Sequence, residues 1–350
     1  MGSNIFTNPD KTIKDALILL RKSNTKTLII LDKKEKFLGT LTDGDIRREL
    51  LKKTSLNKKI ENFYNKNSTY FFQKDYSIAR LKQIFLKQQV LAIPIIDINR
   101  KVVNVISWNE VFSDHKKKYK ITYNIPVMIM AGGLGTRLQP FTNILPKPLI
   151  PLNGRAVIEQ ILDYFKESGI NKFYMSINYK ATIMKAFFKE HGKKKYNISF
   201  VEEKKPLGTA GSLGLLKKIK GNIFVTNCDS IFDFDLGGFY DFHSKNNYLF
   251  SMVVCQKHYV FPYGDCHIKK NGLLNKIIEK PEYNFLANAG LYLINTKLFK
   301  YIPKNKKFDL HEFISVLIKK KINIGAYPIS ELAWKDTGDW IKFNKIMNNQ

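Results

Sequence analysis

Two different patterns of apolar and polar positions divide the chain. The first part repeats a mixture of helical periodicity and short β-rich runs, and from Tyr123–Pro126 onward strand-like apolar runs alternate with helical segments. The strands predicted there are Val127–Met130, Phe173–Ile177, Ile198–Val201, Ile223–Thr226 and Phe250–Cys255, and the helices are Ala156–Glu167, Ala181–Glu190 and Leu310–Lys319. Such alternation is typical of an α/β fold, whose ligands gather at the carboxyl ends of parallel strands.

The N-terminal part contains two copies of one supersecondary plan, which align without a gap. Thr12-Ile13 corresponds to Ser77-Ile78, and Asp45-Ile46 corresponds to Glu110-Val111. In each copy, a helix capped by Thr12 or Ser77 precedes two strands and the start of another helix. We therefore predict a tandem α/β module over residues 1–120, with copies at about 10–50 and 75–115, and a second domain over 123–350.

Length and composition narrow the class of protein. A chain of 350 residues that is 44% hydrophobic favours two cores. No apolar run approaches the roughly 20 residues of a membrane span, and the N-terminus lacks a signal-peptide layout, so we expect a soluble cytoplasmic protein without a membrane partner. Three cysteines are too few for a disulfide framework and are expected to be reduced.

The formal charge of +28 is the feature that would favour nucleic-acid binding. The excess of lysine and arginine is spread along the chain and is not gathered in one segment. We therefore do not expect a nucleic-acid partner.

A glycine-rich loop follows the first strand of the second domain and carries the clearest chemistry. It contains Gly132, Gly133 and Gly135 and is followed by Arg137 and by Lys147 between two prolines. Glycines let backbone N–H groups approach phosphate oxygens, and the two cations would neutralise a departing pyrophosphate. The loop lacks the Gly-Lys-Ser/Thr ending of a Walker A motif and the third glycine of a dinucleotide fingerprint.

This loop, with Thr-Arg-Leu-x-Pro and Pro-Lys-Pro, resembles the signature of sugar-1-phosphate nucleotidyltransferases. The resemblance runs in order from about Pro126 to Trp340. It implies a Rossmann-like, GT-A-like, mostly parallel sheet and the transfer of a nucleoside monophosphate to a sugar 1-phosphate, with release of pyrophosphate. It assigns Arg137 and Lys147 to catalysis and the loop to the nucleotide, through Ala131, Gly132, Gly133, Gly135 and Thr136.

Two aspartates resemble the metal ligands of that family. Asp229 follows a strand-like run, and Asp336 lies in Trp-Lys-Asp-Thr-Gly near the C-terminus. Two carboxylates suit Mg²⁺, whose remaining ligands are usually waters and substrate phosphates. Either aspartate alone could instead be a turn or cap residue, and their order along the chain favours a Mg²⁺ site.

Glu203, which lies three residues before Pro206, indicates which base the nucleoside triphosphate carries. Guanine presents two adjacent donors that a carboxylate can accept together, so Glu203 favours GTP. The following Pro-Leu-Gly-Thr-Ala-Gly resembles the guanylyltransferase branch and adds Gly208 and Thr209 to the expected GTP site. The alternative is that Glu203 is a solvated partner of neighbouring lysines.

The sugar side is represented by Glu279-Lys280-Pro281, by Gly264 and by Asn288, which resemble the family's sugar-phosphate pocket. Glu279-Lys280-Pro281 could also be an exposed turn. The domain order resembles the glucosamine-1-phosphate guanylyltransferases of bacterial legionaminic-acid biosynthesis, which implies glucosamine 1-phosphate as substrate. Mannose- and heptose-1-phosphate enzymes, and a non-catalytic regulatory subunit that binds nucleotide sugar, remain open as alternatives.

The segment from Gly39 to Arg47 resembles a CBS (cystathionine β-synthase type) motif. In such modules a Thr/Ser-x-x-Asp element contacts ribose, which makes Thr42 and Asp45 ligand candidates, with Ser107 as the weaker equivalent in the second copy. The resemblance implies an adenine or cytidine nucleotide, or else a dimerisation module in which Thr42 only caps a helix. We expect a homo-oligomer formed through either domain.

Overall fold

A computed structural model of the chain describes residues 5–23, 25–50, 54–113, 120–191, 195–216 and 219–348. The last residues of the second predicted copy, 114 and 115, lie outside the described residues. The chain forms two compact units, Met1–Phe112 with Gln256–Leu286, and Ser113–Cys255 with Ala287–Gln350. Within the described part of the chain, no helix is both long and apolar enough to cross a membrane.

The N-terminal unit repeats one plan twice, as the sequence predicts. Each copy forms a three-stranded sheet, in the order β1-β2-β3 or β4-β5-β6, with two helices. The elements are β1 Phe6–Thr7, α1 Ile13–Lys22, β2 Thr27–Leu31, β3 Phe37–Thr42 and α2 Asp43–Leu50, then β4 Phe71–Phe72, α3 Ile78–Gln88, β5 Ala92–Ile96, β6 Val102–Ser107 and α4 Trp108–Phe112. Thr12 and Ser77 cap α1 and α3, which confirms both predicted helix starts.

The second unit is built around a seven-stranded, mostly parallel sheet. Its order is β11-β10-β7-β12-β17-β14-β18, and β12 and β17 are antiparallel. The elements from residue 127 to residue 260 are β7 Val127–Met130, β8 Pro151–Leu152, β9 Arg155–Ala156, α5 Val157–Glu167, β10 Lys172–Ile177, α6 Ala181–His191, β11 Asn197–Glu202, α7 Gly208–Gly211, β12 Asn222–Asn227, β13 Ser230–Phe232, α8 Leu236–Lys245 and β14 Phe250–Val260. They are followed by β15 Gly264–Ile268, β16 Leu274–Glu279, β17 Glu282–Asn295, α9 Leu310–Lys319, β18 Ile324–Ile329, β19 Trp334–Asp336 and α10 Trp340–Asn348.

Strand β7 shows why this sheet has helices on both faces. All four of its residues are buried, and successive side chains point to opposite faces of a strand. Val127 and Ile129 belong to a core that includes Ile161 of α5, whereas Met128 and Met130 belong to a separate core that includes Phe313 of α9. The continuous apolar run therefore marks a central strand, and the predicted α/β architecture is correct.

Residues 256–286 do not follow the predicted division of the chain into two consecutive domains at about residue 120. They contain the antiparallel pair β15 and β16, and they cluster with the N-terminal unit although they follow β7–β13 in the sequence. Strand β14, predicted to end at Cys255, continues to Val260 and so enters this segment. The segment includes Gly264, Glu279 and Lys280, whereas Asn288 belongs to the other unit.

Candidate active site

The glycine-rich loop begins at the carboxyl end of β7, and its first residue is fastened to the neighbouring strand. The Ala131 N–H donates to the Ser176 carbonyl at 3.2 Å and lies at the same distance from the Ser176 hydroxyl. Gly135 has a φ of +68°, which favours glycine. A Cβ there would lie 2.8 Å from Thr142 Cγ2 and 3.0 Å from Lys147 Cβ. The absence of a side chain at Gly135 therefore lets the segment that carries Lys147 pack closely against the loop.

The remaining loop residues are accessible. Gly133, Thr136 and Arg137 are exposed, and a Cβ on Gly133 would meet no atom within 4 Å. Residues Thr136–Leu138 form a short 3-10 turn. The loop thus offers open space beside an exposed guanidinium, which is what a phosphate-bearing ligand requires.

Lys147, Asp229 and Asp336 converge in the structure although they are far apart in the sequence. The Lys147 ammonium forms an ion pair with Asp229 Oδ2 and lies 3.4 Å from the Gly338 carbonyl oxygen. Strands β13 and β19 pair Ser230 with Asp336, which brings the second aspartate beside the first. Both side chains of the ion pair are largely buried.

Gly338 lies between the two carboxylates and explains how they can face each other. A Cβ on this residue would be 2.8 Å from Asp229 Oδ2 and 2.8 Å from Asp336 Oδ1, so these oxygens are separated by no more than twice that distance. Thr337 holds the segment of Asp336 and Gly338 close to Asp229, because its N–H and hydroxyl both donate to the Asp229 carbonyl oxygen at 2.9 Å. The sequence alone did not indicate a role for Thr337 or Gly338, although both belong to the same Trp-Lys-Asp-Thr-Gly motif as Asp336.

The donor set suits a hard cation. Among the described residues, no group of three or more His, Cys, Asp or Glu side chains is arranged to hold a metal. Two facing carboxylates nevertheless match Mg²⁺, which keeps waters and substrate phosphates as its other ligands. Asp229 and Asp336 are therefore the residues that could hold it, and their role as metal ligands stays a prediction.

Glu203 is buried against the glycine-rich loop and is not a solvated partner of lysines. Its Oε1 lies 2.7 Å from where a Cβ of Gly132 would be, and its Oε2 accepts the Leu207 N–H at 2.9 Å. The side chain is only 8% exposed. Burial raises the pKa of the Glu203 carboxyl, and hydrogen bonds from Leu207 and Ser176 oppose that shift.

Gly208 and Thr209 are engaged with the start of α9. The Thr209 N–H donates to Asp309 Oδ1 at 2.9 Å, and its hydroxyl accepts the Leu310 N–H at 2.8 Å. Gly208 has a φ of +76°, and a Cβ there would lie 2.8 Å from the Phe308 carbonyl oxygen. These contacts have a structural role, and a role of the two residues in binding GTP stays a prediction.

Two of the predicted sugar-site elements meet across the hairpin of β15 and β16. Gly264 pairs directly with Glu279, and a Cβ on Gly264 would be 2.9 Å from Glu279 Oε2. The Lys280 N–H donates to the Tyr263 carbonyl oxygen at 3.1 Å. In the other unit, Asn288 accepts the Gly290 N–H at 3.0 Å.

Both CBS-like copies use the predicted Thr/Ser-x-x-Asp/Glu pair as a helix cap. The Thr42 hydroxyl donates to Asp45 Oδ2 at 2.7 Å, and the Ser107 hydroxyl donates to Glu110 Oε2 at 2.9 Å. Reciprocal bonds from the backbone complete a capping box in each copy. The longer glutamate therefore closes the same motif as the aspartate, and ligand binding by Thr42, Asp45 and Ser107 remains a prediction.

Comparison with known protein families gives two matches along the chain. The nucleotidyl transferase family model matches residues 126–350, and the CBS domain model matches residues 1–52. The chain belongs to the nucleotidyl transferase family. Its N-terminal region is a CBS domain, followed by a second copy of the same plan.

The chain is similar to several curated proteins and solved structures. The D-glycero-α-D-manno-heptose 1-phosphate guanylyltransferase of Campylobacter jejuni is 33% identical over 198 residues, covering 55% of this chain and 86% of that protein. The mannose-1-phosphate guanyltransferase of Aspergillus fumigatus is 34% identical over 186 residues, half of each chain. The crystal structure of HddC from Yersinia pseudotuberculosis is 25% identical with a TM-score of 0.51, covering 64% of this chain and 99% of that one.

Proposed function

We propose that this nucleotidyl transferase is a sugar-1-phosphate guanylyltransferase that joins GMP from GTP to a sugar 1-phosphate. The observation that carries the proposal is the convergence of Lys147, Asp229 and Asp336 beside the glycine-rich loop. A subunit whose active site had decayed would have no need to keep this arrangement. The convergence therefore favours catalysis over the alternative of a regulatory subunit.

The reaction would proceed by direct displacement. A phosphate oxygen of the sugar 1-phosphate attacks the α-phosphorus of GTP, the bond from that phosphorus to the bridging oxygen breaks, and pyrophosphate leaves. Mg²⁺ bound by the two aspartates would neutralise phosphate charge. The exposed Arg137 and the Lys147 ammonium, with the N–H groups of the loop, would hold the triphosphate and stabilise the leaving pyrophosphate.

Guanine selection is assigned to Glu203. Its carboxylate lies at Gly132, and an ionised carboxylate has about four acceptor positions, so the hydrogen bonds from Leu207 and Ser176 leave capacity for two guanine donors. The similar heptose and mannose enzymes carry guanylyltransferase names, which supports the same choice of base. These relatives favour heptose 1-phosphate or mannose 1-phosphate as the acceptor, whereas glucosamine 1-phosphate and a place in legionaminic-acid synthesis rest on domain order alone.

Pyrophosphate release tests the proposal directly. Purified protein with Mg²⁺ is incubated with ATP, CTP, GTP, UTP or dTTP against heptose, mannose, glucose and glucosamine 1-phosphates. We expect release with GTP and one of these sugars. No release with any pair would contradict the proposed activity, and release with another triphosphate alone would contradict the assignment of GTP.

The variant Glu203→Gln tests the base assignment, with Glu202→Gln as its matched control. Glutamine replaces one acceptor oxygen by a donor, which would face the guanine donors. We expect the KM for GTP to rise about tenfold or more. Glu202 is exposed and paired with Lys185, so its replacement should leave the KM for GTP unchanged. Equal effects of the two substitutions would remove Glu203 as the base-reading residue.

A further inference from the structure

The hairpin of β15 and β16 carries its apolar side chains on one face. Strand pairing places Cys266 opposite Ile277 and Ile268 opposite Leu274, with a register shift between the two pairs. Residues that lie opposite each other in an antiparallel pair, and residues two apart along a strand, share a face of the sheet. We refer to these four residues as the apolar hairpin face.

Solvent reaches most of the apolar hairpin face. Ile268, Leu274 and Ile277 are 69%, 60% and 57% exposed, and Cys266 is exposed as well. Single exposed aliphatic residues are common on protein surfaces, whereas a contiguous group of them marks a surface that binds something. A two-stranded hairpin is also marginally stable in water by itself, so burial of this face would stabilise it.

The opposite face of the hairpin is polar and partly engaged within the protein. His267 and Lys276 pair there, and Asp265 accepts the Tyr283 hydroxyl at 3.0 Å. His267 Nε2 lies 3.2 Å from Asp265 Oδ2. The hairpin is therefore amphipathic, with its polar face in contact with β17 and its apolar face directed to solvent.

Lysines border the apolar hairpin face. Lys269 and Lys270 lie in the turn between the two strands, which is closed by a 2.9 Å bond from the Gly272 N–H to the Lys269 carbonyl oxygen. Lys276 lies on β16, and all three lysines are exposed. Aliphatic side chains bordered by lysines are typical of segments that lie in the surface of an anionic bilayer, where the ammonium groups reach the lipid phosphates.

Area and charge favour a lipid bilayer over a second copy of the chain as the surface that covers this face. The exposed parts of the four side chains amount to a few hundred Å², well below the roughly 800 Å² per partner that a stable protein interface buries. The chain carries a formal charge of +28, so two copies would repel each other, whereas the same charge attracts an anionic bilayer.

The apolar hairpin face is centred away from the predicted sugar-phosphate residues. Gly264 and Glu279 pair at one end of the hairpin, and Ile268 and Leu274 pair at the other, next to the turn. Four residues of strand separate these pairs by about 13 Å. Substitutions at Ile268 and Leu274 therefore leave the predicted sugar-phosphate residues in place.

We propose that the apolar hairpin face docks on an anionic lipid bilayer, with its aliphatic side chains at the boundary between headgroups and acyl chains and the turn lysines on lipid phosphates. The prediction of a protein without a membrane partner rests on the lack of a spanning run and of a signal-peptide layout, and docking on a bilayer surface requires neither. This docking goes beyond the proposed function and does not depend on catalysis.

Co-sedimentation of the full chain with vesicles tests the contribution of the aliphatic side chains. The vesicles contain phosphatidylcholine alone or equal parts of phosphatidylcholine and phosphatidylglycerol. We expect binding to the anionic vesicles, weakened about tenfold or more in Ile268→Ser/Leu274→Ser. Ile98→Ser/Leu56→Ser is the matched control, because it replaces an exposed isoleucine and an exposed leucine elsewhere in the same unit, and its binding should equal that of the wild type.

The contribution of the turn lysines is measured in the same way. Lys269→Ala/Lys270→Ala should bind the anionic vesicles about tenfold more weakly. Lys33→Ala/Lys34→Ala removes two adjacent exposed lysines from the turn between β2 and β3 and should change binding by less than about twofold. Equal losses in the two lysine variants would show that only the overall charge of the chain attracts the bilayer, which would overturn docking through the hairpin.

A fluorescent label tests directly which surface meets the lipid. Cys228 and Cys255 are buried and Cys266 is exposed, so a bimane reagent attaches at Cys266, on the apolar hairpin face. We expect its emission to shift to shorter wavelength when anionic vesicles are added. The same label in Cys266→Ser/Ile98→Cys should show no shift.

Three outcomes would overturn the proposal: no binding of the wild type to anionic vesicles, equal binding of Ile268→Ser/Leu274→Ser and its control, or binding without a shift of the label at Cys266. Sedimentation velocity without vesicles identifies the competing occupant. Self-association of the wild type that is lost in Ile268→Ser/Leu274→Ser, with no binding to vesicles, would assign the face to a second copy. None of these measurements requires turnover, so their failure is distinct from a failure of the guanylyltransferase activity.

Discussion

At the scale of single residues, the absence of a side chain at Gly338 leaves room for the two aspartates of the candidate active site. A Cβ on Gly338 would lie 2.8 Å from an oxygen of each aspartate, Asp229 and Asp336. Both oxygens are at the ends of flexible side chains, so Gly338→Ala would displace the carboxylates and leave the backbone nearly unchanged. A misplacement of about 1 Å can lower a rate by roughly 100-fold, and we expect a loss of that order in nucleotidyl transfer.

Steady-state kinetics and thermal unfolding check this prediction together. Gly214→Ala is the matched control, because a Cβ there would meet Ile302 at an ordinary contact distance of 3.6 Å. We expect both variants to unfold near the wild-type temperature and only Gly338→Ala to lose activity. Full activity in Gly338→Ala would show that the positions of the carboxylates are not critical.

Several site residues could be predicted from the sequence because each belongs to a short motif at the end of a strand. The loop with Lys147 and the two aspartates are of this kind, and the structure brings Lys147 and the aspartates together. The importance of Gly338 could not be predicted, because it depends on how closely β13 and β19 approach each other. The burial of Glu203 likewise depends on packing against Gly132.

At the scale of elements, the junction of α8 and β14 contains a buried histidine with a defined pH dependence. His243 is 1% exposed, and its Nδ1 lies 2.9 Å from the Ser251 hydroxyl oxygen. Burial lowers the pKa of His243 to about 4. In the unfolded chain His243 takes up a proton near pH 6.5, whereas in the folded chain it stays neutral until the pH approaches 4. The stabilisation present above pH 6.5 is therefore lost progressively as the pH falls toward 4.

Urea unfolding of the full chain at pH 7.5 and 5.5 measures this effect. We expect wild type to lose about 1 kcal/mol more stability over that interval than His243→Asn, in which the ionisable group is absent. His311→Asn, a replacement of an exposed histidine on α9, should follow the wild-type profile. If His243→Asn loses as much stability as wild type, the histidine is not the source of the pH dependence.

The predictability of the elements follows their burial. Strands such as β7 and β12 are nearly continuous apolar runs because both faces of the sheet are covered. Such runs could be predicted as strands from the sequence. The hairpin of β15 and β16 is largely exposed and has no such run, so its two strands could not be predicted from the pattern of apolar residues. Its grouping with the N-terminal unit depends on contacts between distant segments, which local patterns do not record.

At the scale of the whole molecule, one unit is assembled from two stretches of sequence. Leu286 packs against the core of the second CBS-like copy, which includes Phe85 and Trp108. Leu286→Ala would remove part of a half-buried apolar side chain and should destabilise that copy by about 1–2 kcal/mol. We therefore expect faster hydrogen exchange in α3 and β5, although they precede residue 286 by nearly two hundred positions.

Hydrogen exchange of the full-length variant provides the measurement, and the adjacent Phe285→Ala provides the control. The Phe285 side chain is 42% exposed, and its removal should leave exchange in α3 and β5 near the wild-type rate. A loss of about 1 kcal/mol corresponds to roughly fivefold faster exchange through unfolding of the second copy. If Leu286→Ala accelerates exchange only in residues close to position 286, the later segment does not stabilise the second copy. Residues 1–112 must then stabilise that copy without residues 256–286.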